Sequence, residues 1–183
     1  MSQYVATKQE VKDRGAPPDS FLDKLVVWGK NADPAIFAPN ERNDIYSKSY
    51  AALGPWTSPL HRKAVMLEVL RVLAGFESSW NWNEGVDTTN EESATPCTEE
   101  AGILQCSGNS MHFDPSLRDL LLSVAGDDSC RTFITTSKTN HSFAIEYCAR
   151  LLRFTTEHHG PVRDNKINRF LSREAVAEFL TLL

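Results

Sequence analysis

A chain of 183 residues, 41% hydrophobic and 23% charged, is long enough for one domain with a real core and too short to make two the expectation. Its net charge of −5, with no block of Lys or Arg, argues against nucleic acid as a partner. No run reaches the ~18 consecutive apolar residues of a membrane span. The opening residues contain Lys8, Lys12 and Arg14 but no apolar signal core, so the expectation is a chain made in the cytoplasm without a cleaved signal.

In chain order, residues 1–19 are polar and run into Gly15-Ala16-Pro17-Pro18, which predicts a mobile N-terminal arm ahead of a single domain over 20–183. Ser20 is placed to cap a short helix from Phe21 to Gly29. Residues 31–57 carry Pro34, Pro39, Gly54 and Pro55 and predict irregular chain with one short helix. Ser58-Pro59 is a strong helix start, a capping side chain followed by proline at the first helical position. That helix is expected to run to about Ser78. Within Ala64–Phe76 only Glu68 and Arg71 are charged, so the helix should be surrounded by other helices. Glu68 and Arg71, at i and i+3, read as an ion pair, and His61 as a structural histidine. Gly75 would allow another group to approach the backbone closely.

Residues 81–101 lack a helical period and predict a long loop, with room for a small hairpin. Asp114-Pro115 starts the next helix, with Gly126 as its C-cap, and a further one begins near Asp127–Ser129. Asn140 caps a long amphipathic helix with Phe143, Tyr147, Leu151 and Phe154 on one face, ending at Gly160-Pro161. Ser172 caps the last, Arg173 to Leu183. The fold class is mainly α.

The chemistry centres on Glu77, which closes the apolar helix and opens Glu77-Ser78-Ser79-Trp80-Asn81-Trp82. Burial and the partial negative charge of a helix C-terminus both favour a protonated carboxyl there. A carboxylic acid kept protonated is what glycosidic cleavage needs as its general acid. Between Val72 and Leu117 there is no Lys or Arg but eight acids, Glu77, Glu84, Asp87, Glu91, Glu92, Glu99, Glu100 and Asp114. Most of these read as a solvated acidic loop. Asp87, ten residues after Glu77, is the first choice for a second catalytic carboxylate and Glu84 the next. A third reading of the loop is an oxygen-ligand calcium site, although EF-hand spacing is absent; no cofactor is expected. Trp80 and Trp82 are either core or an apolar wall for sugar rings. Cys97, Cys106, Cys130 and Cys148 form no CxxC pair and read as buried or free thiols, although Cys130 and Cys148 could bridge two helices.

Glu77-Ser78 ending a buried helix, then Gly102-Ile103-Leu104-Gln105, resembles the lysozyme-like superfamily of soluble lytic transglycosylases and goose-type lysozymes. The longer string is Ala74 to Gly85, Asp87-Thr88-Thr89-Asn90, Glu100-Ala101-Gly102, Gln105, Ser107 and Asn109-Ser110. It looks like the muramidase effectors delivered between bacteria by type VI secretion, over roughly residues 58–160. The resemblance implies a lysozyme-like fold with a central buried helix and a long acidic loop or hairpin beside a cleft. It implies cleavage of the β-1,4 bond between N-acetylmuramic acid and N-acetylglucosamine in peptidoglycan strands, with Glu77 as general acid. Ser78, Trp82 and Gln105 become substrate-binding candidates. The transglycosylase motif Tyr-Asn-Ala-Gly is not present as such, and His158-His159-Gly160-Pro161 stands at about its distance, which adds His159. Action in the periplasm of a target bacterium and a cognate immunity protein are further implications. The alternatives are a lytic transglycosylase giving 1,6-anhydro products, a cysteine amidase using Cys106 with one of His112, His141, His158 or His159, and a non-catalytic sugar-binding module.

Overall fold

The computed structural model describes residues 3–85 and 95–183. Its helices are α1 (Asp19–Asn31), α2 (Ile45–Leu53), α3 (Pro59–Ser78), α4 (Pro115–Ala125), α5 (Cys130–Thr139), α6 (His141–Phe154), α7 (Gly160–Arg163) and α8 (Arg173–Leu182). Two strands of two residues each, β1 (Glu100–Ala101) and β2 (Cys106–Ser107), pair antiparallel with Ala101 opposite Cys106. The class is mainly α, as expected. No helix among the described residues is long and apolar enough to cross a membrane.

Local chemistry sets most helix starts. Ser58 Oγ accepts the His61 N–H, Asp114 the Ser116 N–H, Asn140 the Phe143 N–H and Ser172 the Ala175 N–H, each supplying a partner to an amide the helix cannot satisfy. Asp44 does the same for α2, which no cap predicted from the sequence had identified. Gly126 ends α4 at φ 71°.

α3 is the centre of the molecule. Every residue from Ala64 to Gly75 is buried, and α1, α6 and α8 pack around it. Its two charges are fully buried and satisfy one another: Arg71 Nε and Nη2 donate to the two Glu68 carboxylate oxygens at 2.6 and 2.8 Å. The remaining capacity goes to chain segments far away in sequence. Glu68 accepts the Ser172 N–H at 2.9 Å, and Arg71 donates to Gln9 O and Phe170 O at 3.0 and 3.2 Å.

That pairing overturns the expectation of a mobile arm. Tyr4, Thr7 and Val11 are buried, and Val5 N and Thr7 N each donate to the Glu178 carboxylate of α8 at 2.6 Å. The segment is polar in composition, but Tyr4 and Val11 are spent on the core while Val5 stays exposed. A second difference lies at the other end of the site. α6 stops at Phe154, and Gly160-Pro161 begins α7 rather than ending a helix, because proline at a first turn gives up an amide that has no partner anyway. Between them, Thr155, Thr156 and His159 are buried.

The cysteines sort differently from the expectation. Cys97 and Cys130 form a disulfide closing 33 residues of sequence, so Cys130 is joined to the loop and not to Cys148. Cys106 and Cys148 are free and buried.

Candidate active site at the end of the central helix

α3 is left through two consecutive residues in the left-handed region, Ser79 at φ 54° and Trp80 at φ 61°. Such conformations cost of order 1–3 kcal/mol each in non-glycine residues and persist only where the surroundings impose them. Here Trp80 imposes them. Its indole is buried, Nε1 donates to Arg71 O at 3.0 Å, and its ring lies so close to Gly75 that a Cβ there would come within 2.7 Å of it. Gly75 thus admits a core tryptophan, and Trp80 is no sugar wall. The turn it forces presents Glu77 at the edge of the core, its side chain 17% exposed.

Ser78 points the other way. It is buried, and its Oγ donates to Ala74 O at 3.2 Å and to Ile103 O at 2.7 Å. The helix end is therefore joined directly to the turn Gly102–Gln105. Gly102 sits at φ 73° with Ser137 O only 2.6 Å from where a Cβ would stand, so no other residue fits that approach. Gln105, at φ 45°, is buried and folds its amide back to donate to Gly102 O at 2.8 Å. Ser78 and Gln105, expected at the substrate, have other partners: Ser78 joins the helix end to the turn, and Gln105 closes the turn on itself. Replacing Ser78 by Ala leaves the buried Ile103 carbonyl unpaired, a cost of about 1–3 kcal/mol. Thermal unfolding should show it at roughly 2–4 °C of melting temperature per kcal/mol. An unchanged midpoint would mean the turn is held by other contacts.

Trp82 stacks on His141 with ring centroids 3.9 Å apart and packs against Phe21, which puts it between α1 and the start of α6. Glu84 accepts from Asn81 Nδ2 at 2.9 Å, and its carbonyl receives the Gly102 N–H at 3.0 Å. Asp87, with Glu91 and Glu92, lies outside the described residues.

His159, the first residue before α7, reaches Glu77 directly: Nδ1 is 3.2 Å from Glu77 Oε1. Its other nitrogen faces two thiols. Nε2 is 3.8 Å from Cys106 Sγ and 3.6 Å from Cys148 Sγ. The result is a buried polar chain running from Cys148 of α6 and Cys106 of β2, through His159, to Glu77 at the solvent edge. Burial by itself would push the His159 imidazolium down, but its bonds to Cys106 and Glu77 outweigh that and hold it up at about 10. Burial likewise pushes the Cys106 thiol up, and the Cys148 thiol and His159 bring it down to about 6. Cys148 is raised well above the ordinary thiol range by burial and by the charge on Cys106. His158 is held neutral, down at about 3, by burial and then by the charge of His159.

His159 was expected at the site as a substrate contact, whereas its partners are Glu77 and two sulfurs. Cys106 was expected to meet a histidine only in the amidase alternative, and Cys148 not at all. The only signal for this in the sequence is that an apolar helix face (Tyr147, Leu151, Phe154) and an apolar strand each carry a cysteine, and neither says what it faces.

On the other flank of the Glu77 helix end, Phe76, Pro161 and Phe170 line a pocket of about 530 Å³ together with Lys12, Lys166 and Arg169. Lys166 also meets Asp164 at 2.8 Å. The pocket joins apolar surface to positive charge. Comparison with protein-family models, with curated proteins and with solved structures gave no match.

Proposed function

We propose that this protein is a peptidoglycan glycoside hydrolase of lysozyme-like fold, acting on the β-1,4 bond between N-acetylmuramic acid and N-acetylglucosamine with Glu77 as general acid. The observation that carries the reading is the placement of Glu77. It stands at the end of a helix buried throughout Ala64–Gly75, reaches solvent, and is joined through Ser78 to the Gly102–Gln105 turn. A proton donor has to be held rigidly and still meet the leaving oxygen, and this arrangement meets both needs. The cationic, partly apolar pocket beside it suits a glycan whose lactyl and peptide substituents carry carboxylates. The Cys97–Cys130 disulfide suits a protein that works in an oxidising compartment such as a periplasm. Delivery by type VI secretion and neutralisation by an immunity protein belong to the same proposal and rest on the sequence resemblance.

In this mechanism Glu77 passes to the glycosidic oxygen, as positive charge develops on the sugar ring, the proton it shares with His159 Nδ1 at 3.2 Å. Hydrolysis then needs a second carboxylate to activate water, the role proposed for Asp87. A lytic transglycosylase would instead use the sugar's own hydroxyl and need none. Mass spectrometry of digested peptidoglycan separates the two, because the products differ by one water. Hydrolysis predicts reducing-end muropeptides, and an exclusively anhydro product would replace it with the second mechanism.

One observation favours a different chemistry. Cys106, His159 and Glu77 follow one another as a nucleophile, base and orienting acid would. Against it, Cys106 is 4% exposed and the solvent-facing member is Glu77, the reverse of what a thiol nucleophile requires. Loss of peptidoglycan cleavage in Cys106→Ala under reducing conditions would favour the amidase.

A further inference from the structure

Two buried free thiols converging on one imidazole nitrogen are more than a general acid needs. Cys106 Sγ and Cys148 Sγ stand 3.8 and 3.6 Å from His159 Nε2. A zinc ion with bonds of about 2.3 Å to sulfur and 2.0–2.1 Å to nitrogen has tetrahedral sulfur–nitrogen edges of about 3.6 Å. The cluster has that spacing before any ion enters. Single ligand atoms of Cys106, His158 and His159 also lie within 4.8 Å of one another, and Cys148 joins that group through His159 Nε2, so closing the set requires His158 to move towards the sulfurs. His158 Nε2 is buried without a hydrogen-bond partner among the described residues, a ring nitrogen with nothing to bind.

We propose that Cys106, Cys148, His159 and His158 form a binding site for a thiophilic transition-metal ion, zinc or a close analogue, in a tetrahedral two-sulfur, two-nitrogen set. The chemistry of the donors selects this class, because thiolate with imidazole favours zinc over calcium or magnesium. Charge balance suits the burial. A dication with two thiolates and two neutral imidazoles is neutral overall, and binding releases the two protons held among the sulfurs and Nε2. Glu77 completes the arrangement from outside. Its carboxylate takes the His159 Nδ1 hydrogen, which fixes the tautomer that leaves Nε2 free to ligate. The ligands come from β2, α6 and the segment before α7, so an ion would add a bond between three parts of the chain that already meet in the core. This inference does not depend on the glycosidase reading, since its readout is metal and not turnover.

Two alternatives use the same atoms. The distances also fit thiol hydrogen bonds with no metal, and the two thiols could instead be oxidised to a second disulfide. Cobalt(II) titration of the full-length protein, with the Cys97–Cys130 bond intact, separates them. The expected result is one equivalent bound, with a sulfur-to-cobalt charge-transfer band and tetrahedral d–d bands that zinc bleaches. Both bands should be lost in Cys106→Ser and in Cys148→Ser. Glu77→Gln should keep the spectrum and bind about 10–100-fold more weakly. Thiol titration of the denatured chain should find two free thiols without metal. Finding none, or finding cobalt bound without sulfur bands, would overturn the proposal. Should either serine variant fail to fold, His158→Ala, which removes a ring whose Nε2 makes no hydrogen bond among the described residues, gives the same test through loss of the tetrahedral d–d bands.

Discussion

Glu77→Gln should lower peptidoglycan turnover by roughly 10²–10⁴-fold, the usual share of a positioned general acid, while the protein remains folded. Gln has the same length and offers an oxygen to His159 Nδ1 at the place where Glu77 Oε1 now sits 3.2 Å away. Only the transferable proton is removed. The loss should therefore fall equally on kcat and kcat/KM, the pattern of an interaction made in the transition state. Reducing-end release from purified peptidoglycan measures the rate, and thermal unfolding establishes that the fold is kept. A variant retaining a tenth or more of the wild-type rate would remove Glu77 from the role of acid. Asp87→Asn run beside it tests the second carboxylate: an intact rate would leave Glu77 working without Asp87.

The largest stability effect should come from the ion pair inside α3. Arg71→Ala or Glu68→Ala strands the partner charge where both side chains are fully buried, which typically costs 3–5 kcal/mol. Domains of this size are stable by only about 5–15 kcal/mol in total, so loss of folding at growth temperature is within reach. A swap of both residues to apolar ones of similar volume is often harmless elsewhere. Here it would still leave the Ser172 amide and the Gln9 and Phe170 carbonyls short of a partner, at about 1–3 kcal/mol each. The double variant should therefore unfold below wild type in urea. A midpoint equal to wild type would mean that water can take over those three bonds.

Much of the helix pattern was legible because caps are local. Ser58-Pro59, Asp114-Pro115, Asn140 and Ser172 each carry their own instruction within three or four residues, and each starts a helix where expected. Gly160-Pro161 shows the limit of the same reasoning, because the pair is equally compatible with a stop before it and a start at it. What decides is the burial of Thr155, Thr156 and His159, which is tertiary. The N-terminal arm was illegible for a related reason. Tyr4, Thr7 and Val11 fall at i, i+3 and i+7, a helical spacing, yet only Ala6–Lys8 forms a short helical turn, and contacts with Asp23 of α1, Glu178 of α8 and Gly75 of α3 give the segment its place. At the site, Glu77 and Ser78 could be singled out from their position at the end of an apolar helix. The roles of Ser78 and Gln105 could not, because Ile103 O and Gly102 O become their partners only after the turn has folded. The meeting of Cys106, Cys148, His159 and Glu77 joins residues up to 82 positions apart, and no spacing rule encodes it.

The disulfide divides the site into two mechanical halves. Cys97 and Cys130 close a covalent ring that contains the Gly102–Gln105 turn, Cys106 and α4, while Glu77, Cys148 and His159 belong to the chain outside it. Closing a loop of this length restrains the unfolded chain by about 3–4 kcal/mol in the chain-entropy view. Glu77, the proposed proton donor, is anchored by the core helix outside the ring, whereas the turn that Ser78 meets lies within it. Before oxidation the turn would keep its bonds to Ser78 and Glu84 and lose the covalent closure behind them. The redox state of the surroundings thus bears on the segment from Cys97 to Cys130 more than on the helix that carries Glu77.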